Sequence, residues 1–165
     1  MQDVAEKHGS MRSWCGVVGL AAAVVWPLAG QAVSRLPPFN VVIKDGFAAL
    51  PAQLTNTPGD PKEGAKVVVD RRLGNCLSCH QIDVLRGEEF HGDVGPPLNG
   101  VAGRWDSATL RMIVVNPKKV FGEDTVMPAF YRVDGLNRVR PEFVGKPILT
   151  AQQVEDVVAF LTTLR

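Results

Sequence analysis

The spacing of apolar residues near the end of the chain predicts an amphipathic helix over residues 151–164. Thr150 and Gln153 stand at its start with the spacing of a capping box. The apolar residues then recur three or four positions apart, which places them on one face of a helix. We expect that face to be buried; its members are Val154, Val157, Val158, Leu161 and Leu164.

Two other segments carry helix signals. Asp60 precedes a proline and is followed three residues later by Glu63, as in a capping box, which predicts a helix from 61 to about 71. Asp106 similarly precedes an apolar segment that predicts a helix over 107–115. The rest of the chain reads as loop, so these three helices alone would form a poor core.

The region before the first helix divides into two parts. Residues 33–59 are rich in proline and predict an irregular extension with one short β-like run at 41–43. Residues 1–32 have the order of a secretory signal peptide: Arg12, an apolar run, and small residues that favour cleavage after Ala32. An uncleaved membrane anchor is the alternative for this segment.

The true start of the chain is open between Met1 and Met11, because acidic residues are unusual ahead of a signal peptide. The charge of the chain indicates little about its function beyond one exclusion. The 165 residues carry 18 Lys and Arg against 17 Asp and Glu, without basic runs, which argues against nucleic-acid binding. After cleavage we expect no membrane association.

The segment Cys76-Leu77-Ser78-Cys79-His80 carries the strongest chemical signal in the chain. C-x-x-C-H is the attachment signature of one covalent haem c. Cys76 and Cys79 each add to one vinyl group of the porphyrin, and His80 is then placed to ligate the iron. Because bacteria attach this haem outside the cytoplasm, the motif and the signal peptide together predict a periplasmic cytochrome.

Three alternatives for this motif are weaker. A thioredoxin-like C-x-x-C needs a βαβ context, which does not surround Cys76. A structural zinc site needs four ligands, whereas the third and last cysteine is the distant Cys15. A chance occurrence on a surface loop is the third alternative. We therefore predict an all-α fold, a class I cytochrome c-like haem domain over 60–165, with long loops that gain their burial from the haem.

The second iron ligand is predicted to be Met127. Met112 lies within an apolar helix, where methionine is usually a core residue. Met127 instead follows the third predicted helix in a loop stiffened by Pro128. His91 is the alternative, but it follows His80 too closely to reach the opposite face. A His/Met pair favours electron transfer, since it leaves no open position on the iron.

Further residues are candidates for supporting roles. A carbonyl in Gly95-Pro96-Pro97 is expected to accept a hydrogen bond from His80 Nδ1. Arg104 would either reach the haem propionates or lie solvated at the surface, and Trp105 would line the pocket. Gly64 would either allow close approach of the last helix near Phe160 or be a tolerated helix glycine.

Beyond these motifs, the mature chain resembles SoxX, the monohaem subunit of the SoxAX cytochromes of bacterial thiosulfate oxidation. The resemblance covers nearly all of it and is most specific between Asp124 and Val158. The segments that carry it are Gly74–His80, Asp124–Arg132, Phe143–Thr150 and Glu155–Val158.

The resemblance implies an electron-transfer subunit, without catalytic residues of its own, of an L-cysteine S-thiosulfotransferase. Its partners would be a SoxA-like cytochrome that carries the catalytic haem, the carrier protein SoxYZ, and a small soluble cytochrome c that accepts the electrons. In this comparison Cys76 and Cys79 hold the haem, while His80 and Met127 ligate its iron. The alternatives are a free-standing periplasmic cytochrome c and, more remotely, a haem-free thiol oxidoreductase.

Overall fold

The computed structural model describes residues 36–165. The predicted signal peptide, with Met1, Met11 and Cys15, lies outside the described residues. Within them, no helix is both long enough and apolar enough to cross a membrane. The ordered elements are a β-hairpin and five α-helices, joined by long loops that contain three single 3₁₀ turns.

The hairpin comes first and is more regular than the sequence predicted. Strands β1 (Val42–Lys44) and β2 (Phe47–Ala49) pair antiparallel, with Ile43 opposite Ala48. The two-residue turn between them has positive φ at Asp45 and Gly46, as a tight type I′-like hairpin requires. After the hairpin the Leu50 N–H donates to the Ala108 carbonyl at 2.9 Å, which ties the extension to the haem-domain region.

The three helices predicted from the sequence are all present. Helix α1 spans Pro61–Val69, helix α3 Ser107–Val115, and helix α5 Ala151–Leu161. The five apolar residues predicted to face the core from the last helix segment are all buried. Two helices of only four residues were not predicted: α2 (Val101–Arg104) and α4 (Lys118–Phe121). One turn of helix is too short to show a hydrophobic period.

The helix caps agree with the sequence at two of three places. Thr150 and Gln153 form the predicted capping box, and the Asp106 carboxylate accepts the Thr109 N–H. The box predicted for Asp60 and Glu63 is wrong. The Asp60 carboxylate does accept a helix N–H, but its own N–H donates at 2.9 Å to Oδ1 of Asp156 on α5, whose carboxylate takes the place of Glu63.

Helices α1 and α5 cross with their backbones in close contact, as the first interpretation of Gly64 predicted. A Cβ atom at Gly64 would overlap the carbonyl oxygen of Asp156 and lie 2.9 Å from Cβ of Phe160. Gly59, just before α1, meets the Glu155 carbonyl in the same way. This crossing joins the two ends of the domain and is its most extensive helix contact.

Candidate haem site

A cavity of about 560 Å³ opens between the end of α1, helices α3 and α5, and the loops that join them. Its walls are predominantly apolar, with contributions from core residues as well as from loops that reach the surface. The apolar side chains around it include Leu110, Ile113, Val114, Phe130, Leu149, Val157 and Leu161. Such walls suit a large flat apolar ligand that takes part of the burial a core would otherwise supply.

All four residues predicted to bind haem line this one cavity. Cys76, Cys79 and His80 come from the segment after α1, and Met127 comes from the loop after α4. Of the two residues weighed against Met127, neither lies at the cavity. Met112 is 2% exposed and belongs to the core. His91 Nδ1 accepts the Ile82 N–H, so its Nε2–H donates to the Leu85 carbonyl, and its role is to brace a loop.

A tight turn presents the two thiols. Asn75 has a left-handed backbone with φ of 48°, and Cys76–Ser78 form a 3₁₀ turn immediately after it. The N–H groups of Cys79 and His80 both donate to the Cys76 carbonyl, at 3.1 and 2.9 Å. This turn folds the motif back on itself, so that both thiols and the imidazole reach the same cavity.

Burial raises the pKa of the Cys76 thiol to about 12. The cause is removal of the thiol from water, which disfavours the thiolate. A reactive thiol of the thioredoxin type needs a lowered pKa, so this environment argues against a redox role for Cys76 as a free thiol. It fits a sulfur that ends as a neutral thioether.

The orientation of His80 is fixed by the loop that passes behind it. Its Nδ1 lies 2.7 Å from the Pro96 carbonyl, which can only accept, so Nδ1 carries the proton. A Cβ atom at Gly95 would overlap the imidazole ring, so glycine is needed for the loop to pack against its face. The predicted carbonyl contact is therefore confirmed, and Nε2 remains as the nitrogen able to ligate a metal.

Arg104 is exposed, in agreement with the surface position that was one of the two considered for it. Its guanidinium donates to the carbonyls of Pro97 and Asn99, both at 2.7 Å, while the side chain also borders the cavity. It thus closes the loop that carries the His80 acceptor. Trp105 lines the cavity as predicted, and its ring packs edge-on against Phe47 of the hairpin, with ring centroids 4.8 Å apart.

The Met127 loop is anchored on its downstream side by the backbone. The N–H groups of Phe130 and Tyr131 donate to the carbonyls of Val114 and Val115 at the end of α3, both at 3.2 Å. On the upstream side the Lys118 ammonium donates to the Thr125 carbonyl. Sequence reasoning missed Lys118, because an Asn-Pro-Lys-Lys segment after a helix gives no sign of which lysine turns inward.

These residues fit a covalently bound haem. The cavity offers two thiols from one turn, an imidazole with Nε2 available, and a methionine thioether from a different loop. Imidazole and thioether are the ligand pair of c-type cytochromes that carry electrons. The apolar walls would exclude water from the porphyrin faces.

Comparison with known proteins agrees with this geometry. The profile of the family described as Cytochrome c matches residues 61–165. A chain in the crystal structure of SoxXA from P. pantotrophus is 51% identical, with a TM-score of 0.67, and the match covers 75% of this chain and 93% of that one. A search of curated proteins found no match.

The family match covers more than half of the chain and includes every residue that lines the cavity. Members of this family bind haem c covalently, and the fold class is the one predicted from the sequence. At 51% identity over nearly the full length of the SoxXA chain, the similarity is also specific within the family. The chain belongs to the cytochrome c family and, within it, to the SoxX proteins.

Proposed function

We propose that the chain is the periplasmic monohaem electron-transfer subunit of a SoxAX-type L-cysteine S-thiosulfotransferase. One observation carries the proposal: the predicted haem residues converge on a single apolar cavity in a chain 51% identical to one of SoxXA. The catalytic haem belongs to the SoxA-like partner, and this chain contributes no catalytic residue.

Each site residue has one task. The thiols of Cys76 and Cys79 would hold one haem, and His80 Nε2 and the Met127 thioether would ligate its iron. When bound, the haem supplies a one-electron Fe(II)/Fe(III) couple. The protein keeps His80 oriented through Pro96 and shields the site from water with apolar side chains. With both side chains as ligands, the iron would have no position left for a substrate.

The reaction in the complex requires such an electron acceptor. Joining thiosulfate to the carrier cysteine of SoxYZ forms a sulfur–sulfur bond, releases the thiol proton and frees two electrons. A one-electron subunit takes these in turn and passes them to a small soluble cytochrome c. The chain therefore connects sulfur chemistry on one partner to a diffusing carrier.

The rim of the cavity supports contact with a partner protein. Val94 and Val126 line the cavity and yet are 66% and 78% exposed, and Phe121, which also lines it, is exposed as well. Apolar side chains of this kind, grouped at a functional opening, are typical of an interaction site. A partner seated there would lie close to the porphyrin edge, where electron transfer is fast.

A charge on this rim should weaken the complex. We expect Val126→Lys to reduce co-purification with a co-expressed SoxA-like subunit and to slow electron transfer between the two. Val84→Lys is the matched control, because Val84 is 69% exposed but does not line the cavity. Co-purification assays and stopped-flow reduction measure both effects.

The same experiment separates the proposed function from that of a free-standing cytochrome c. If the unmodified haem protein purifies alone and exchanges electrons only with small carriers, it is a free-standing cytochrome c. Equal effects of the two lysine variants would exclude the rim as the contact surface.

A further inference from the structure

The loop that brings Met127 to the cavity is held unevenly. Its downstream side is bonded to the end of α3 through Phe130 and Tyr131. Its upstream side, residues 122–126, is mostly exposed and begins at Gly122, whose φ is 90°. The Gly122 N–H still donates to the Lys118 carbonyl at 3.0 Å, but beyond it the Thr125 N–H reaches the Gly122 carbonyl only at 3.4 Å, which is a weak bond. This side of the loop needs another restraint to stay closed.

Lys118 supplies that restraint. Its half-buried side chain leaves helix α4 and donates from Nζ to the carbonyl of Thr125, two residues before Met127. The hydroxyl of the same threonine lies 3.5 Å from the Met127 N–H. A charged donor makes a stronger hydrogen bond than a neutral one. The ammonium thus links helix α4 to the backbone just before Met127.

The neighbouring lysine provides a contrast within the same short helix. Lys119 is exposed, and among the described residues its side chain makes no hydrogen bond or ion pair. The two lysines have the same charge and differ by one position in sequence. Any effect specific to Lys118 therefore comes from its contact with Thr125 and not from net charge.

The geometry points to Lys118 as a positioning residue that holds the Met127 loop closed over the cavity. This inference rests on the proposed ligation of iron by Met127. Breaking the Lys118–Thr125 contact leaves the fold and His80 in place, and lets residues 122–127 swing away more readily. Opening of this loop is what a competing ligand must achieve before it reaches the iron.

Imidazole binding to the oxidised holoprotein measures this opening, because imidazole must displace the methionine. We expect Lys118→Met to bind imidazole about tenfold or more tightly than the unmodified protein, since opening no longer breaks a charged hydrogen bond. Lys119→Met should bind it as the unmodified protein does. Lys118→Arg keeps a cationic donor and should recover most of the original weak binding.

Two further outcomes separate the inference from its premise. If the unmodified oxidised protein lacks the methionine–iron charge-transfer band, the proposed ligation fails. If the band is present and all variants bind imidazole equally, the role of Lys118 is overturned while the ligation stands. Circular dichroism checks folding of each variant, and Lys118→Gln, which also lacks the charge, replaces Lys118→Met if that variant does not fold.

Discussion

Arg111 and Glu155 are the two most deeply buried charged residues in the part of the chain that the structure describes. The Arg111 side chain is 5% exposed and faces Glu155, which is 2% exposed. The guanidinium donates to both carboxylate oxygens, at 2.8 and 2.9 Å, and to the Leu50 carbonyl at 2.8 Å. Glu155 also accepts the Leu54 N–H. The pair therefore connects α3 and α5 to the part of the N-terminal extension that follows the hairpin.

Removing one member of this pair should be costly. Arg111→Leu leaves the Glu155 carboxylate buried without its partner, and we expect the unfolding free energy to fall by about 3–5 kcal/mol. Denaturant unfolding monitored by circular dichroism measures the loss. Lys66→Met, which breaks the exposed pair with Glu63, is the control and should change stability little.

A double substitution tests the cause. Arg111→Met with Glu155→Met removes both charges, and should be less destabilising than Arg111→Leu alone. If the single and double variants lose equal stability, packing and not the unpaired charge is responsible for the loss.

At the scale of single residues, local chemistry was predictable and distant contacts were not. The presence of Cys76, Cys79 and His80 at the cavity follows from the spacing of one motif, and that of Met127 from elimination among few methionines. Arg111 and Glu155 are far apart in sequence, and no local pattern shows that they meet. Lys118 and Lys119 are adjacent and chemically identical, and only the structure shows that Lys118 contacts Thr125 while Lys119 is exposed.

At the scale of elements, the crossing of α1 and α5 depends on the absence of a side chain at Gly64. Gly64 lies against the Asp156 carbonyl, a backbone atom that cannot move aside without displacing α5. We expect Gly64→Ala to lower the thermal midpoint strongly, because overlap with backbone outweighs the gain in helix propensity. Thermal unfolding of the holoprotein measures this change.

Gly103 is the matched control for this prediction. It lies in helix α2, and a Cβ atom there would have open space around it. Gly103→Ala should be neutral or slightly stabilising, by up to about 1 kcal/mol, as expected for a helix interior. Similar losses in both variants would show that Gly64 has no special role in the crossing.

The errors in the predicted elements had different causes. Strand β2 was not predicted, although Asp45-Gly46 is a typical hairpin turn sequence. The sequence therefore did contain a signal for the hairpin. Helices α2 and α4 are single turns held by tertiary contacts, and the sequence carries no period for them. The capping box of Asp60 and Glu63 was wrong for a third reason, because Asp156 from the crossing helix accepts the Asp60 N–H in place of Glu63.

At the scale of the whole molecule, acid should loosen the contact between hairpin and domain. Asp106 caps α3 and pairs with Lys44 of β1. The hydrogen bond from Lys44 is the main cause that lowers the pKa of the Asp106 carboxyl, followed by the Thr109 N–H. The hydrogen bond with Asp106 in turn raises the pKa of Lys44 above 10.5. Both groups are therefore charged throughout the neutral range.

The sign of the effect follows from linkage. A carboxyl whose pKa is lower in the folded state stabilises the protein above its unfolded pKa of about 3.9, and this contribution is lost as the pH falls through the folded value. We expect Asp106→Asn to lower the thermal midpoint at neutral pH, and the difference from the unmodified protein to disappear at low pH. Thermal scans from about pH 2.5 to pH 7 cover the transition.

Asp106→Ala separates the cap from the charge. Asparagine still accepts the Thr109 N–H, whereas alanine does not, so the alanine variant should lose about 1 kcal/mol more at every pH. A difference between the asparagine variant and the unmodified protein that persisted unchanged in acid would contradict the role assigned to the carboxylate.

The crossing of α1 and α5 also has a consequence for the order of events in folding. Its two halves are separated by the whole haem-binding stretch, and α5 is the last helix in the chain. Contacts this distant in sequence form late, because loop closure must precede them. An exported chain cannot complete the domain until α5 has packed on α1, and we expect Cys76 and Cys79 to stay accessible for haem attachment during that interval.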